Sequence, residues 1–327
     1  MTVSICFDVF GEKLKVFSDS ELLLDDIRVY CFPCFEIVEK CADDIGYSIF
    51  VKCSVDFSVE HLNFSPDFTF LDPDELVVEI NKDRAFFKHD FLGSGWWDKK
   101  SAEICIEGRN PRYSARFKYI IYSIFFDWLY TRGYFVIHGA AVSNNGMGGL
   151  MVGDSGVGKS TLSYALMAEK FMCFGDNAVL IKQHEDGYYL YPFLHYISLK
   201  IEDLDYYPVL NNMYLSGQFL QRKADKLSFP INYLCEEKLQ AVKLKQIIIV
   251  KNCIEDSLFM QTISEKETRS ELMKNINLMV LSNFLIKKDI IHCFAVNMAQ
   301  TIDRMALVFH RKRSNIELVA KKICGIG

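Results

Sequence analysis

Gly153-Asp154-Ser155-Gly156-Val157-Gly158-Lys159-Ser160 follows the pattern G-x-x-x-x-G-K-[ST], the Walker A phosphate loop. Its reading decides the fold. The apolar run Leu150-Met151-Val152 before it predicts a short buried strand. The stretch Thr161 to Lys170 after it predicts a helix with Leu162, Ala165 and Leu166 on one face. Strand, loop and helix therefore come in the order such a loop requires. Glycines at 153, 156 and 158 permit positive φ and bring backbone N–H groups close to an anion. The N-terminus of the following helix adds about half a positive charge. The chemistry expected of Gly153 through Ser160, together with Thr161, is the cradling of a nucleotide polyphosphate. Lys159 would reach the β- and γ-phosphates and the Ser160 hydroxyl would hold Mg²⁺. The alternative is a glycine turn that matches by chance.

Working outward, Tyr134 to His138 predicts a strand, and Ser143-Asn144-Asn145-Gly146 a hairpin turn into the strand that feeds the loop. Downstream, Phe171 to Phe174, Ala178 to Lys182, Tyr188 to Ser198, Gln246 to Val250 and Met305 to Phe309 read as strands. Residues 264 to 283, Ala295 to Asp303 and Ile316 to Lys322 read as helices. Arg222-Lys223-Ala224-Asp225-Lys226 reads as a polar link, either solvated or reaching for phosphate. Upstream, residues 1–108 read as β-rich, with short Val, Ile, Phe and Cys runs such as Ser4 to Phe10, Tyr47 to Cys53, Leu76 to Ile80 and Glu103 to Glu107. Trp96-Trp97 is either buried in a hairpin there or part of a contact surface. Residues 109–133 read as a connecting helix, with Ile120, Ile121, Ile124, Phe125 and Trp128 at helical spacing. The organisation expected is a β-rich N-terminal region over 1–108, suited to substrate capture, the helix over 109–133, and a nucleotide domain over 134–327.

With 327 residues, half of them apolar, the chain can bury a sizeable core. A net charge of −5 offers no basic footprint for nucleic acid. No apolar run is long enough to span a bilayer, and the first residues lack a basic-then-apolar signal, so a cytoplasmic protein is expected, with no membrane partner. In a reducing compartment most of the eleven cysteines should be free core thiols. Cys31-Phe32-Pro33-Cys34 is a lone C-x-x-C with no second half nearby; it is read as buried thiols, against a redox pair or half a zinc site.

A phosphate loop fits ATPases, GTPases and kinases alike, and the partner acid discriminates. The late apolar strand Ile247-Ile248-Ile249-Val250 ends in Lys251-Asn252, without an acid, and there is no N-K-x-D. The acid that fits is Asp176, seventeen residues after Lys159. Together, His138-Gly139, the loop and Gly175-Asp176 resemble the HPr kinase/phosphorylase family. With His138-Gly139-Ala140-Ala141-Val142 and Tyr191-Pro192 ahead of Ile197-Ser198-Leu199, the chain is more similar to the shorter HPr-kinase-like proteins, among them serine kinases that tailor lasso peptides. The resemblance is specific over 134–182 and loose beyond. It implies an α/β fold of the HPr-kinase/phosphoenolpyruvate-carboxykinase type, a mixed sheet flanked by helices, preceded here by the β-rich region.

The activity implied is an ATP- and Mg²⁺-dependent kinase acting on a serine hydroxyl of a peptide or small protein, with homo-oligomers common among relatives. The first 108 residues do not resemble the N-terminal domain of true HPr kinases, so HPr itself is not the expected acceptor. The alternatives are a nucleotide-binding regulatory protein without phosphotransfer and a small-molecule kinase of the same fold. The catalytic residues expected are Asp176, Lys159 and His138, with Ser160 and Asp176 at the metal. Asp176 would serve either the metal or the attacking hydroxyl as base, or only cap a turn. His138 would polarise the phosphate or substrate, being easily protonated near neutral pH, or would be a hydrogen-bonded residue at a strand end. The family carries two consecutive acids where this chain has Asp176-Asn177, and an Asn cannot act as a base.

Overall fold

A computed structural model describes residues 2–32, 35–38, 45–52, 68–71, 77–80, 84–89, 93–105, 115–193, 196–219, 221–223, 226–230, 240–253, 258–277, 288–309 and 318–319. The chain is mixed α/β and divides into two compact units, residues 1–133 with 280–288 and residues 134–279 with 289–327.

The first unit is built on one sheet. Its elements are β1 (Val3–Val9), β2 (Glu12–Ser18), α1 (Glu21–Tyr30), β3 (Glu36–Ile37), β4 (Tyr47–Lys52), β5 (Phe68–Leu71), β6 (Val77–Ile80), β7 (Ala85–His89), β8 (Gly93–Trp97), β9 (Ser101–Cys105) and α2 (Ala115–Thr131). The strands lie in the order β3-β1-β2-β4-β9-β8-β7-β6-β5, parallel at β2/β4 and β4/β9 and antiparallel elsewhere. Alternation in β2 and β4 buries Leu14, Val16, Ile49 and Val51.

Of the connecting helix expected over 109–133, Ala115–Thr131 form a helix that packs within this unit, and 109–114 lie outside the described residues. Phe125 lies 4.9 Å from Phe32 between ring centroids, and Trp128 stacks on Tyr47 at 5.6 Å. Trp97 is buried, and its Nε1–H donates to the buried Asp127 carboxylate at 2.8 Å. Of the two readings of the tryptophan pair, burial in the hairpin therefore holds for Trp97, while Trp96 lies under the Arg84 guanidinium at 4.7 Å. The β-rich expectation overlooks α1. Ser20 caps it by accepting from the Leu23 amide, and Leu23, Leu24 and Ile27 bury one face.

The second unit contains β10 (Tyr134–Ile137), β11 (Ala140–Asn144), β12 (Met147–Val152), α3 (Lys159–Ala168), β13 (Met172–Asp176), β14 (Val179–His184), β15 (Gly187–Tyr191), β16 (Tyr196–Lys200), a 3₁₀ turn (Ile201–Tyr206), α4 (Pro208–Leu215), β17 (Gln221–Lys223), β18 (Lys226–Pro230), β19 (Val242–Asn252), β20 (Leu258–Thr262), α5 (Glu265–Asn277), α6 (Lys288–Thr301) and β21 (Asp303–Phe309). The main sheet runs β10-β14-β15-β19-β12-β11-β13, with β21 beside β19 and β20 beside β21. Strand β19 is the longest. It pairs in parallel with β12 over Lys243 to Ile249 and with β21 over Gln246 to Asn252, while β15 meets its beginning. Leu162, Ala165 and Leu166 of α3 pack on Ala140, Val142, Met151, Ile248, Val250 and Leu307, the helix face expected from the sequence.

A separate three-stranded sheet, β16-β18-β17, forms its own cluster of Ile197, Leu199, Leu204, Leu210, Leu227 and Phe229. Two expectations change here. Tyr188 to Ser198 is two strands in two sheets, because Pro192, which has no N–H for a ladder, breaks the run. The link at 222–226 contributes backbone to the β17/β18 hairpin rather than being irregular, with residues 224–225 outside the described set. Of the helix expected at 264–283, Glu265–Asn277 form α5 and 278–283 lie outside the described residues; the helix at 295–303 begins earlier and gives way to β21 at Asp303, and most of 316–322 lies outside the described residues.

Cys31, Cys105 and Cys173 are buried thiols, as expected, whereas Cys253 is half-buried, Cys293 is exposed and Cys6 is disulfide-bonded; Cys34 lies outside the described residues. Among the described residues no helix is long and apolar enough to cross a membrane.

Candidate functional site

The loop 153–158 leaves the end of β12 and enters α3. Gly153 sits at φ +147°, and a Cβ there would lie 2.4 Å from the Val250 carbonyl oxygen of β19. Only glycine fits this close passage of loop over strand. Val157 packs against the α3 core and pins the far side of the loop. Gly158 takes the N-cap position of α3 with left-handed backbone, so no side chain caps the first amides of the helix. Those amides remain directed at the space before the helix.

Lys159 is buried, and its Nζ donates to the carbonyls of Gly153 at 2.7 Å and Asp154 at 2.9 Å. The ammonium thus lies folded over its own loop. Asp154 points outward and pairs with Lys274 of α5, which holds its carboxyl below the usual carboxylate range.

Ser160 Oγ donates to Asp176 Oδ1 at 2.8 Å. Asp176 ends β13, is only 8% exposed, and its Oδ2 accepts from the Ser198 amide at 3.2 Å. β13 brings it there by pairing with β11, Ala140 lying opposite Asp176. The turn-cap alternative for Asp176 gains no support from these bonds, since its partners lie 16 and 22 residues away.

A 2.8 Å oxygen pair also suits Mg²⁺, because two neighbouring ligands of an octahedron with bonds of about 2.0–2.1 Å stand about 2.9 Å apart. Ser160 and Asp176 are therefore a fitting donor pair for the expected cation. Among the described residues no cluster of three or more His, Cys, Asp or Glu side chains could hold a metal.

A cleft opens beside these groups, lined by His138, Ser155, Gly156, Gly158, Lys159, Ser160, Thr161, Asn177, Ser198, Leu199 and Lys200. Gly153, Asp154, Val157 and Asp176 are not among its lining residues: the first three fix the loop, and Asp176 stands behind Ser160. His138 is brought to the cleft by the next residue, whose Cβ, were Gly139 another amino acid, would meet the Met151 carbonyl at 2.6 Å. Burial, and then the nearby Lys159 charge, lower the His138 pKa from 6.5 to about 4. The imidazole is therefore neutral at pH 7. This corrects the expectation of a readily protonated group: a half-buried ring beside a fixed ammonium loses its proton.

Four lining residues, Asn177, Ser198, Leu199 and Lys200, stand outside the catalytic, nucleotide and metal set expected from the sequence. Asn177 follows Asp176 with φ +71°, a left-handed position that asparagine tolerates well. Ser198, Leu199 and Lys200 come from β16. Their signal was the alternation Ile197, Ser198, Leu199, Lys200, which leaves Ser198 and Lys200 on the polar face.

The sequence matches no protein-family model and no curated protein. Among solved structures, the chain is similar to the Hpr(Ser) kinase/phosphatase from Coxiella burnetii, with 11% identity over 58% of this chain and 95% of that one, at a TM-score of 0.30. A score that low does not say what this chain does.

Proposed function

We propose that the chain is an ATP- and Mg²⁺-dependent kinase that transfers the γ-phosphate to a hydroxyl, a serine of a peptide or small protein, in the cytoplasm. The observation that carries the reading is the 2.8 Å contact of Ser160 with Asp176 directly beside a loop of phosphate-directed amides. Supporting it, Lys159 needs only to exchange two loop carbonyls for phosphate oxygens. Bound at Ser160 and Asp176, Mg²⁺ would neutralise charge on the β- and γ-phosphates.

The chain's own residues account for the remainder. The loop amides and Lys159 orient the triphosphate. In the alternative to its metal role, Asp176 would accept the proton of the attacking hydroxyl as the hydroxyl oxygen bonds to the γ-phosphorus and the bond to the β–γ bridging oxygen breaks. Neutral His138 can donate or accept one hydrogen bond at the phosphates without adding charge.

The test is incubation with ATP·Mg²⁺ and serine-bearing peptides, followed by mass spectrometry. One added phosphate on a peptide is expected. Nucleotide binding without transfer to any peptide would favour the regulatory reading, which Asn177 in place of a second acid supports. The homo-oligomer implied by the resemblance is checked by light scattering.

A further inference from the structure

Strand β16 carries a cation that the arrangement above leaves without a role. Period-two alternation buries Ile197 and Leu199 in the small cluster and leaves Ser198 and Lys200 on the opposite face. Ser198 touches Asp176 through its amide, and Lys200 lines the same cleft as Lys159, Ser160 and His138. Lys200 Nζ donates to Glu202 Oε1 at 2.8 Å, and the Glu202 side chain is 70% exposed. An ion pair this open to water is easily exchanged for a better anion.

The register adds a second observation. Lys226 stands opposite Lys200 on β18, and Lys223 stands opposite Lys226 on β17. The backbone register thus lines up three lysine positions in one row across this sheet.

We propose that Lys200 is a second phosphate-binding residue, which leaves Glu202 to contact the terminal phosphate of a bound nucleoside triphosphate. The proposal rests on the reading of the loop as a triphosphate site. It gives that site two cations of different duty. Lys159, at the loop, serves any nucleotide with a β-phosphate. Lys200, on β16, serves the phosphate that is transferred, and so distinguishes the triphosphate from the diphosphate.

The experiment is calorimetric binding of ADP and of a non-hydrolysable ATP analogue to the full chain and four variants. The wild type should prefer the analogue by about tenfold or more, the size of one charge-assisted contact. Lys200→Met should bring the two affinities together, with ADP binding changed less than about twofold. Lys200→Arg should keep the preference, and so should Glu202→Gln, because the pair with Glu202 is not the purpose of the lysine. A Lys200→Met protein that still discriminates overturns the proposal. So does one that loses both ligands alike, or a Glu202→Gln protein that loses discrimination as well. Lys159→Ala separates the two levels of inference. If it weakens both nucleotides while Lys200→Met discriminates as the wild type does, only the role of Lys200 falls. If the wild type binds neither nucleotide, the triphosphate site falls with it.

Discussion

Gly153→Ala should damage this protein more than any other single methyl group added to the loop. The new Cβ would stand 2.4 Å from the Val250 carbonyl oxygen, where carbon–oxygen contacts normally begin near 3.3 Å, so roughly 1 Å of movement is required. Val250 cannot retreat. It lies in β19 opposite Leu307 of β21, one residue beyond the Ile249 that pairs with Val152 of β12. The loop must move instead, from a φ of +147° that alanine adopts only with strain. Strain of about 1–3 kcal/mol in the backbone and about 1–3 kcal/mol from overpacking sum to about 4 kcal/mol at the centre of the range. The assay is urea denaturation read at the transition of the loop-bearing unit, paired with calorimetric ADP binding at a temperature where the variant stays folded. A midpoint shift equivalent to about 4 kcal/mol and an affinity loss of at least about tenfold are expected, since displaced amides no longer meet the phosphates. A variant within about 0.5 kcal/mol of the wild type, with unaltered ADP affinity, would refute the seating of the loop on β19.

Asp176→Asn should fold, because an amide can still accept from the Ser198 N–H and donate to Ser160 Oγ; phosphotransfer to a peptide should drop by about 10²–10⁴-fold, and retained transfer in a kinetic assay would remove Asp176 from the chemistry. NMR titration of His138 should give a midpoint near 4 without ligand, moving upward when ADP is bound beside it. The sign for stability follows: the fold prefers the neutral ring, so this contribution is full above pH 6.5 and is lost as pH falls towards 4, by at most about 3 kcal/mol, less for solvent screening, as urea melts across that window will show. Trp97→Phe removes one donor from the buried Asp127 and should cost about 1–3 kcal/mol in urea unfolding, an effect that Asp127→Asn in the same background would reduce.

The loop, its strand and its helix were legible because three glycines and a lysine at fixed spacing leave few alternatives, and because α3 shows its apolar face as Leu162, Ala165 and Leu166. Asp176 was legible as an acid ending an apolar strand at the right distance from Lys159. Other features were not, for reasons of range. The wall at Ser198 and Lys200 depends on which sheet β16 joins, and Pro192 alone does not announce the change. Helix α1 was hidden in a stretch whose neighbours are all strands, although Ser20 and the Leu23, Leu24, Ile27 spacing carried its signal. The charge state of His138 depends first on its burial and then on the Lys159 ammonium, 21 residues away in sequence, and folding supplies both. The lone Asn177 reads as a lost acid in sequence and as a residue suited to a left-handed turn in structure.

Strand β19 serves two masters along its length, backing the phosphate loop through Val250 while its ladder is completed by β21. Cutting the chain after Asn277 would therefore do more than shorten it. Those amide and carbonyl groups of Gln246 to Asn252 that face β21 would lose their partners next to Ile248, Ile249 and Val250, and the truncated protein would carry a naked, sticky template for self-assembly. Such a fragment should form insoluble aggregates on expression, and a peptide spanning Asp303 to Phe309, supplied in excess, should restore some of it to solution.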